Sequence, residues 1–181
     1  MSFSITGTGS CAPTLSVSNE SLSEFLDTND EWIYTRTGIK HRKILAAQSL
    51  LDIAEKAAKD AIDSAGLTSD KIDMVICSTL QGDYISPSMS CLLGKRLGIS
   101  CRHMFDINMG CSGFVFGLEL AAAYFESKRA KNVLLVCAEG MSRMLDWEDR
   151  STCVLFGDGA GAVVLEEGAG LIDISCRING E

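Results

Sequence analysis

The amino-acid sequence predicts an α/β fold, a sheet covered by helices on both faces. Three observations carry this. Two continuous apolar runs rich in β-branched residues, IDMVICST (72–79) and NVLLVCAE (132–139), have the pattern of strands buried on both sides. SLLDIAEKAAKDAIDSA (49–65) carries one apolar stripe at helical spacing. Strand-like and helix-like segments alternate along the chain, which is the order of a mainly parallel sheet.

The elements follow in turn. FSITGTG (3–9) reads as a first strand leading into a glycine-rich turn, and Ser18 to Leu26 as a short helix. In DTNDEWIYTRTG, Thr28 with Glu31 three residues later predicts a capping box, and Gly38 a stop. Ser49 and Asp52 mark the start of the 49–65 helix, and Gly66 closes it. Pro87 suits the first turn of the next helix, which runs to about Leu97. HMFDI (103–107) is a short strand, 111–126 a helix, and GAVVLEE (161–167) a last strand behind the glycine-rich FGDGAG.

Composition sets limits on function. A chain of 181 residues with 46% hydrophobic content builds one compact domain, 1–181, with a sizeable core. No linker or internal repeat divides it. The apolar runs are much shorter than the ~20 residues of a membrane span, and the N-terminus lacks a basic segment followed by an apolar one. The expectation is a cytoplasmic protein with reduced thiols and no membrane partner. The net charge of −8 argues against a nucleic-acid partner. Against this acidic background Arg36, Lys40, His41, Arg42 and Lys43 form a local basic cluster, which suits an anionic ligand or a solvated loop equally.

Eight cysteines lie at 11, 77, 91, 101, 111, 137, 153 and 176, and no pair has CxxC spacing. Neither a metal site nor a disulfide framework is expected. Cys77 and Cys137 sit inside strand runs, where a thiol acts as a small hydrophobe. Cys111, in FDINMGCSGF, is different. It falls where a strand gives way to a helix, so backbone N–H groups and the positive end of the helix dipole favour a thiolate there and can hold an oxyanion. Gly110 and Gly113 read as clearing room for a substrate. A buried, inert thiol is the competing reading. The hydrolase elbow is not matched, because position 109 is Met.

ITGTGSCAP (5–13), DTNDEWIYTRTGI, FDINMGCSGF (105–114) and LFGDGAGAVVL (155–165) together resemble, in order and spacing, the N-terminal half of the 3-oxoacyl-(acyl-carrier-protein) synthase III family of the thiolase superfamily. The resemblance implies a five-stranded mixed sheet covered by helices on both faces. It implies an acyltransferase that starts fatty acid synthesis with no cofactor. An acyl-CoA primer acylates Cys111, and malonyl-acyl carrier protein is then condensed with loss of carbon dioxide. It implies that Thr28, Trp32, Arg36 and Arg150 line the CoA site, and that the basic patch attracts acyl carrier protein, an acidic partner. A homodimer through strand 103–107 is implied as well.

Departures from the family pattern shape the rest. Family members are longer, and their histidine and asparagine lie in a second half. His41 and His103 match neither, so the expectation is that this chain supplies the nucleophile half only and is inactive alone. Ser86 stands where some members carry a bulky aromatic, which makes it an acyl-pocket candidate with room for longer primers. The helix after Cys111 is apolar almost all round, so one side is expected to pack on its own sheet and the other on the missing half. Two other readings stay open: a non-catalytic CoA- or acyl-carrier-binding module, and a polyketide starter synthase. GDGAGA is a poor dinucleotide fingerprint, because it leads into a strand and not a helix.

Overall fold

The computed structural model describes residues 2–179. Seven strands are present among them: β1 (Ser2–Cys11), β2 (Leu15–Ser18), β3 (His41–Ile44), β4 (Met74–Ser78), β5 (His103–Ile107), β6 (Asn132–Gly140) and β7 (Asp158–Gly168). The helices are α1 (Asn19–Ser23), α2 (Asp30–Thr37), α3 (Leu50–Ser64), α4 (Met89–Leu97) and α5 (Gly113–Glu126). Five strands form one sheet in the order β1-β7-β6-β4-β5, and β2 pairs with β3 in a separate two-stranded sheet.

The sheet is mixed. β4 runs parallel to both β5 and β6, whereas β7 is antiparallel to β6 and β1. Simple alternation predicted more parallel pairing than this. The difference arises after β6, where residues 141–157 hold no crossover helix, and a strand that returns without one pairs antiparallel. Alternation along β4 sorts its side chains between two cores. Val75 and Cys77 join α3 and α4 on one face, and Met74 and Ile76 join α5 on the other.

Local chemistry explains the helix ends. Ser49 and Asp52, the predicted start of α3, form a capping box, with Asp52 N–H donating to Ser49 Oγ at 3.0 Å and Ser49 N–H to Asp52 Oδ2 at 2.9 Å. Gly38 ends α2 in the left-handed region, at φ 72°. Two starts differ from expectation. Asn29, not Thr28, caps α2, because its side chain accepts from Trp32 N–H at 2.8 Å. Pro87 lies before α4 and not in its first turn, because Ser88 is the cap and the helix begins at Met89.

Three other differences bear on function. The basic segment is partly strand β3, and Arg42 within it is buried. Its guanidinium donates to Val17 O, Asn19 Oδ1 and Val154 O, which removes it from any surface patch. The DGAG run belongs to β7 itself. The glycines of ITGTG lie inside β1, with no turn. A Cβ on Gly7 would sit 2.2 Å from the Ala61 carbonyl oxygen, and one on Gly9 2.1 Å from that of Ala57. Both are impossible contacts, so the glycines let α3 lie directly on β1.

That seam gives a stability test. Gly9→Ala is expected to destabilise the chain by about 2 kcal/mol or more, since the helix backbone itself must move. A denaturant midpoint unchanged from the parent would contradict the packing described.

Candidate active site

The parallel strands β4 and β5 end on the same edge of the sheet, and the loops that follow them meet there. Thr79 N–H donates to Ile107 O at 3.1 Å and extends their ladder by one bond. Past β5 the chain turns through a single 3-10 turn, Gly110–Ser112, and α5 begins at Gly113. Cys111 is the middle residue of that turn and is exposed. Sites in open α/β sheets lie beyond carboxyl strand ends of this kind.

The two glycines around Cys111 have other reasons to be there than substrate clearance. Gly110 has φ +53°, a left-handed value that favours glycine. A Cβ on Gly113 would fall 1.8 Å from Ser78 Oγ, so this glycine lets the start of α5 press on the end of β4.

Burial separates the cysteines. It pushes the thiols of Cys77, Cys101 and Cys153 up, and that of Cys137 to about 11. Cys91 and Cys111 are the two exposed ones, and both sit at helix starts. Their surroundings differ. At α4, Ser88 Oγ accepts from Cys91 N–H, and the Asp106 carboxylate accepts from Met89 N–H and Ser90 N–H at 2.7 and 2.8 Å. A full negative charge therefore already occupies that helix start. At α5, Ser112 makes no side-chain cap, so the positive end of the helix beside Cys111 is left without one.

A cavity of about 320 Å³ lies between the loop after β4 and the end of β5, and its wall stops at Asn108, two residues before the turn. Thr79, Leu80, Tyr84, Ile85, Ile107 and Asn108 line part of it. Tyr84 and Ile85 are exposed on the loop after β4, Ile85 completely. Ser86 is exposed on the same loop, one residue past the cavity wall. Asp83 pins that loop by accepting from Leu50 N–H, Leu51 N–H and Arg143.

The second cluster centres on Trp32. Arg36 lies one helical turn along α2, with its guanidinium carbon 4.5 Å from the indole centroid, and the carbon of Arg150 is 5.1 Å from the same centroid. Arg150 also donates to the Asp27 carbonyl. Thr28 follows, and its hydroxyl is buried with no hydrogen-bond partner. Thr28, Trp32, Arg36 and Arg150 thus form one group, a flat aromatic with two planar cations. Sequence reasoning missed Glu139, Asn108 and Asp83, which bind the loops around Cys111. Their only signal was a polar or acidic residue near the end of an apolar strand run (Glu139, Asn108) or in the loop beyond one (Asp83).

With this geometry in view, the relatives are informative. The family described as 3-oxoacyl-[acyl-carrier-protein (ACP)] synthase III matches residues 105–180, which include the Cys111 turn and β7. The β-ketoacyl-[acyl-carrier-protein] synthase III of Clostridium beijerinckii is 45% identical over 179 residues, 98% of this chain and 55% of that protein. That of Xanthomonas oryzae pv. oryzae is 47% identical, over 97% of this chain and 55% of that protein. The chain resembles synthase III. It spans about half the length of the curated relatives it matches. The solved synthase III of Aquifex aeolicus superposes with a TM-score of 0.86 at 44% identity, covering 92% of this chain and 54% of that one. The priming β-ketosynthase of the R1128 polyketide pathway superposes at 0.88 with 34% identity, covering 94% and 51%. The synthase III resemblance therefore covers nearly all of this chain. Among the described residues, no helix is long and apolar enough to cross a membrane.

The contrast between the two helix starts makes a prediction. Cys111 is expected to react with iodoacetamide several-fold faster than Cys91, read peptide by peptide by mass spectrometry. Equal rates would mean that the carboxylate at α4 makes no difference.

Proposed function

We propose that this chain is the nucleophile half of a synthase III-type condensing enzyme, with Cys111 as the acyl-accepting residue. The observation that carries the reading is an exposed cysteine at an uncapped helix start, beyond the carboxyl ends of two parallel strands. The sulfur attacks the carbonyl carbon of an acyl-CoA. The carbon–sulfur bond to CoA breaks, and CoA leaves with the proton of the thiol. A malonyl-carrier protein then loses carbon dioxide, its carbanion attacks the thioester carbonyl, and the Cys111 thiolate departs.

The Trp32, Arg36 and Arg150 group suits the other end of CoA. A guanidinium and an indole can stack on an adenine, and the cations meet phosphates. Thr28 has an unused hydroxyl there. The cavity between the loop after β4 and the end of β5, three residues short of Cys111, suits the acyl chain, with Ser86 one residue past its wall. The fatty acid type is the first reading. The likeness to a priming polyketide β-ketosynthase supports a second one, with the same chemistry and a different primer. Groups that drive decarboxylation belong, in this reading, to a partner half of the fold.

The outer face of α5 supports such a partner. Gly113, Gly117, Ala121, Ala122 and Phe125 are buried, whereas Phe114 and Val115 are 39% and 44% exposed. At ~25 cal/mol per Å² an apolar face of this kind favours being covered. The second half of the enzyme is the proposed cover, and the open edge of β5 the proposed dimer contact.

Three outcomes are expected. Incubation with a panel of acyl-CoAs adds one acyl group to Cys111, seen by mass spectrometry, and Cys111→Ala removes it without loss of fold. An unmodified Cys111 would favour the binding-module reading. Trp32→Ala weakens CoA binding by about 1–2 kcal/mol in calorimetry, while an unchanged affinity would move the CoA site elsewhere. Isolated 1–181 associates or binds an apolar dye in sedimentation and fluorescence runs; a clean monomer that takes no dye would remove the argument for a cover on α5.

A further inference from the structure

One residue near the candidate nucleophile has both its backbone N–H and its carbonyl held by side chains. Leu80 is the second residue after β4. Its N–H donates to both carboxylate oxygens of Glu139, at 3.0 and 3.1 Å, and its carbonyl accepts from Asn108 Nδ2 at 3.3 Å. Glu139 belongs to β6 and Asn108 directly follows β5, the two strands that flank β4. Ser78 pairs with Cys137 in the parallel register, so β6 runs on past the end of β4 and Glu139 stands level with Leu80. The carboxylate takes the N–H that the ladder would otherwise leave without an acceptor. The neighbouring Thr79 hydroxyl is buried with no partner, so the Thr79 side chain adds no such hold.

The placement is unfavourable for the glutamate taken alone. It is half-buried, and burial pushes its pKa up, with only the Leu80 N–H acting in the other direction. The Leu80 side chain points back at the candidate site. A Cβ on Gly110 would lie at an ordinary van der Waals distance, 3.9 Å, from Leu80 Cδ2, so the leucine is a neighbour of the residue that precedes Cys111. Leu80 and Asn108 also line the cavity of about 320 Å³.

We infer that Glu139 is a positioning residue for Cys111. Through the Leu80 peptide it sets where the Gly110–Ser112 turn presents the sulfur and where the cavity wall stands. It need not touch substrate to do so. The inference rests on the proposed role of Cys111 and extends it. Removing the acceptor frees the Leu80 N–H to seek water, lifts the loop, and takes the leucine off Gly110. A glutamine keeps an oxygen in place and keeps the clamp.

The test compares alkylation of Cys111 and Cys91 by iodoacetamide in the parent chain, Glu139→Ala, Glu139→Gln and Leu80→Ala. Cys91 lies on α4 and serves as the internal standard. Glu139→Ala is expected to lower the Cys111 to Cys91 rate ratio by about fivefold or more, as a displaced turn should. Leu80→Ala lowers it in the same direction, and Glu139→Gln stays within about twofold of the parent. An unchanged ratio in Glu139→Ala or Leu80→Ala overturns the inference. So does a loss in Glu139→Gln equal to that in Glu139→Ala, which would assign the effect to charge and not to position. Should Glu139→Ala fail to fold, the glutamine and Leu80→Ala variants decide by the same criteria. A parent Cys111 that alkylates but accepts no acyl group from acyl-CoA would overturn the proposed function and leave this positioning result to stand or fall on the alkylation rates alone.

Discussion

β4 is buried at every position and is parallel to a neighbour on each side. That double pairing is the constraint on which the other features rest. It brings the carboxyl ends of β5, β4 and β6 to one edge, so three loops must leave the sheet side by side. It also leaves the N–H groups just past β4 in need of acceptors. The Ile107 carbonyl meets one, and Glu139 meets the next. The Cys111 turn sits against that arrangement, and Gly113 seats α5 on the last side chain of β4.

Acidic side chains perform much of the local bonding around this frame. Asp73 accepts from Lys131 N–H and Asn132 N–H, and Asp106 from the first two N–H groups of α4. Asp83 does the same at α3, and buried Asp158 ties Leu45 to Ser142. Each is a charge-assisted bond to backbone, roughly twice as strong as a neutral one. Part of the net charge of −8 is therefore structural. The same logic makes α5 stand out, because its start has no carboxylate.

Much of the fold was legible in the sequence because it depends on periodicity. The apolar stripe of α3, its Ser49–Asp52 start and the runs of β4 and β6 each announce themselves over several residues. What stayed hidden depends on distant partners. Nothing local distinguishes Asn29 from Thr28 as the cap of α2. Arg42 looks like one more surface cation until Asn19 and Val154 are brought to it. Gly7 and Gly9 look like a turn until α3 lies across them. Cys111 was legible because its strand-to-helix junction is local. Glu139 was not, because its significance lies in a register with β4 that pattern alone cannot supply.

The pairing of β1 with β7 has a consequence for how the chain reaches this state. β1 is the first strand and β7 the last among the described residues, and β7 is the only strand in the main sheet that β1 touches. The bonds of Leu171 to Ser2 and Phe3 draw the segment beyond β7 onto the same place. A strand whose partner follows five intervening strands closes a long loop, and such pairings are slow to form. Until then β1 has helices to lie on, α3 across Gly7 and Gly9 and Phe125 of α5 against Phe3. The glycine seam that permits so close a contact with α3 thus lets β1 bury one face independently of its pairing with β7.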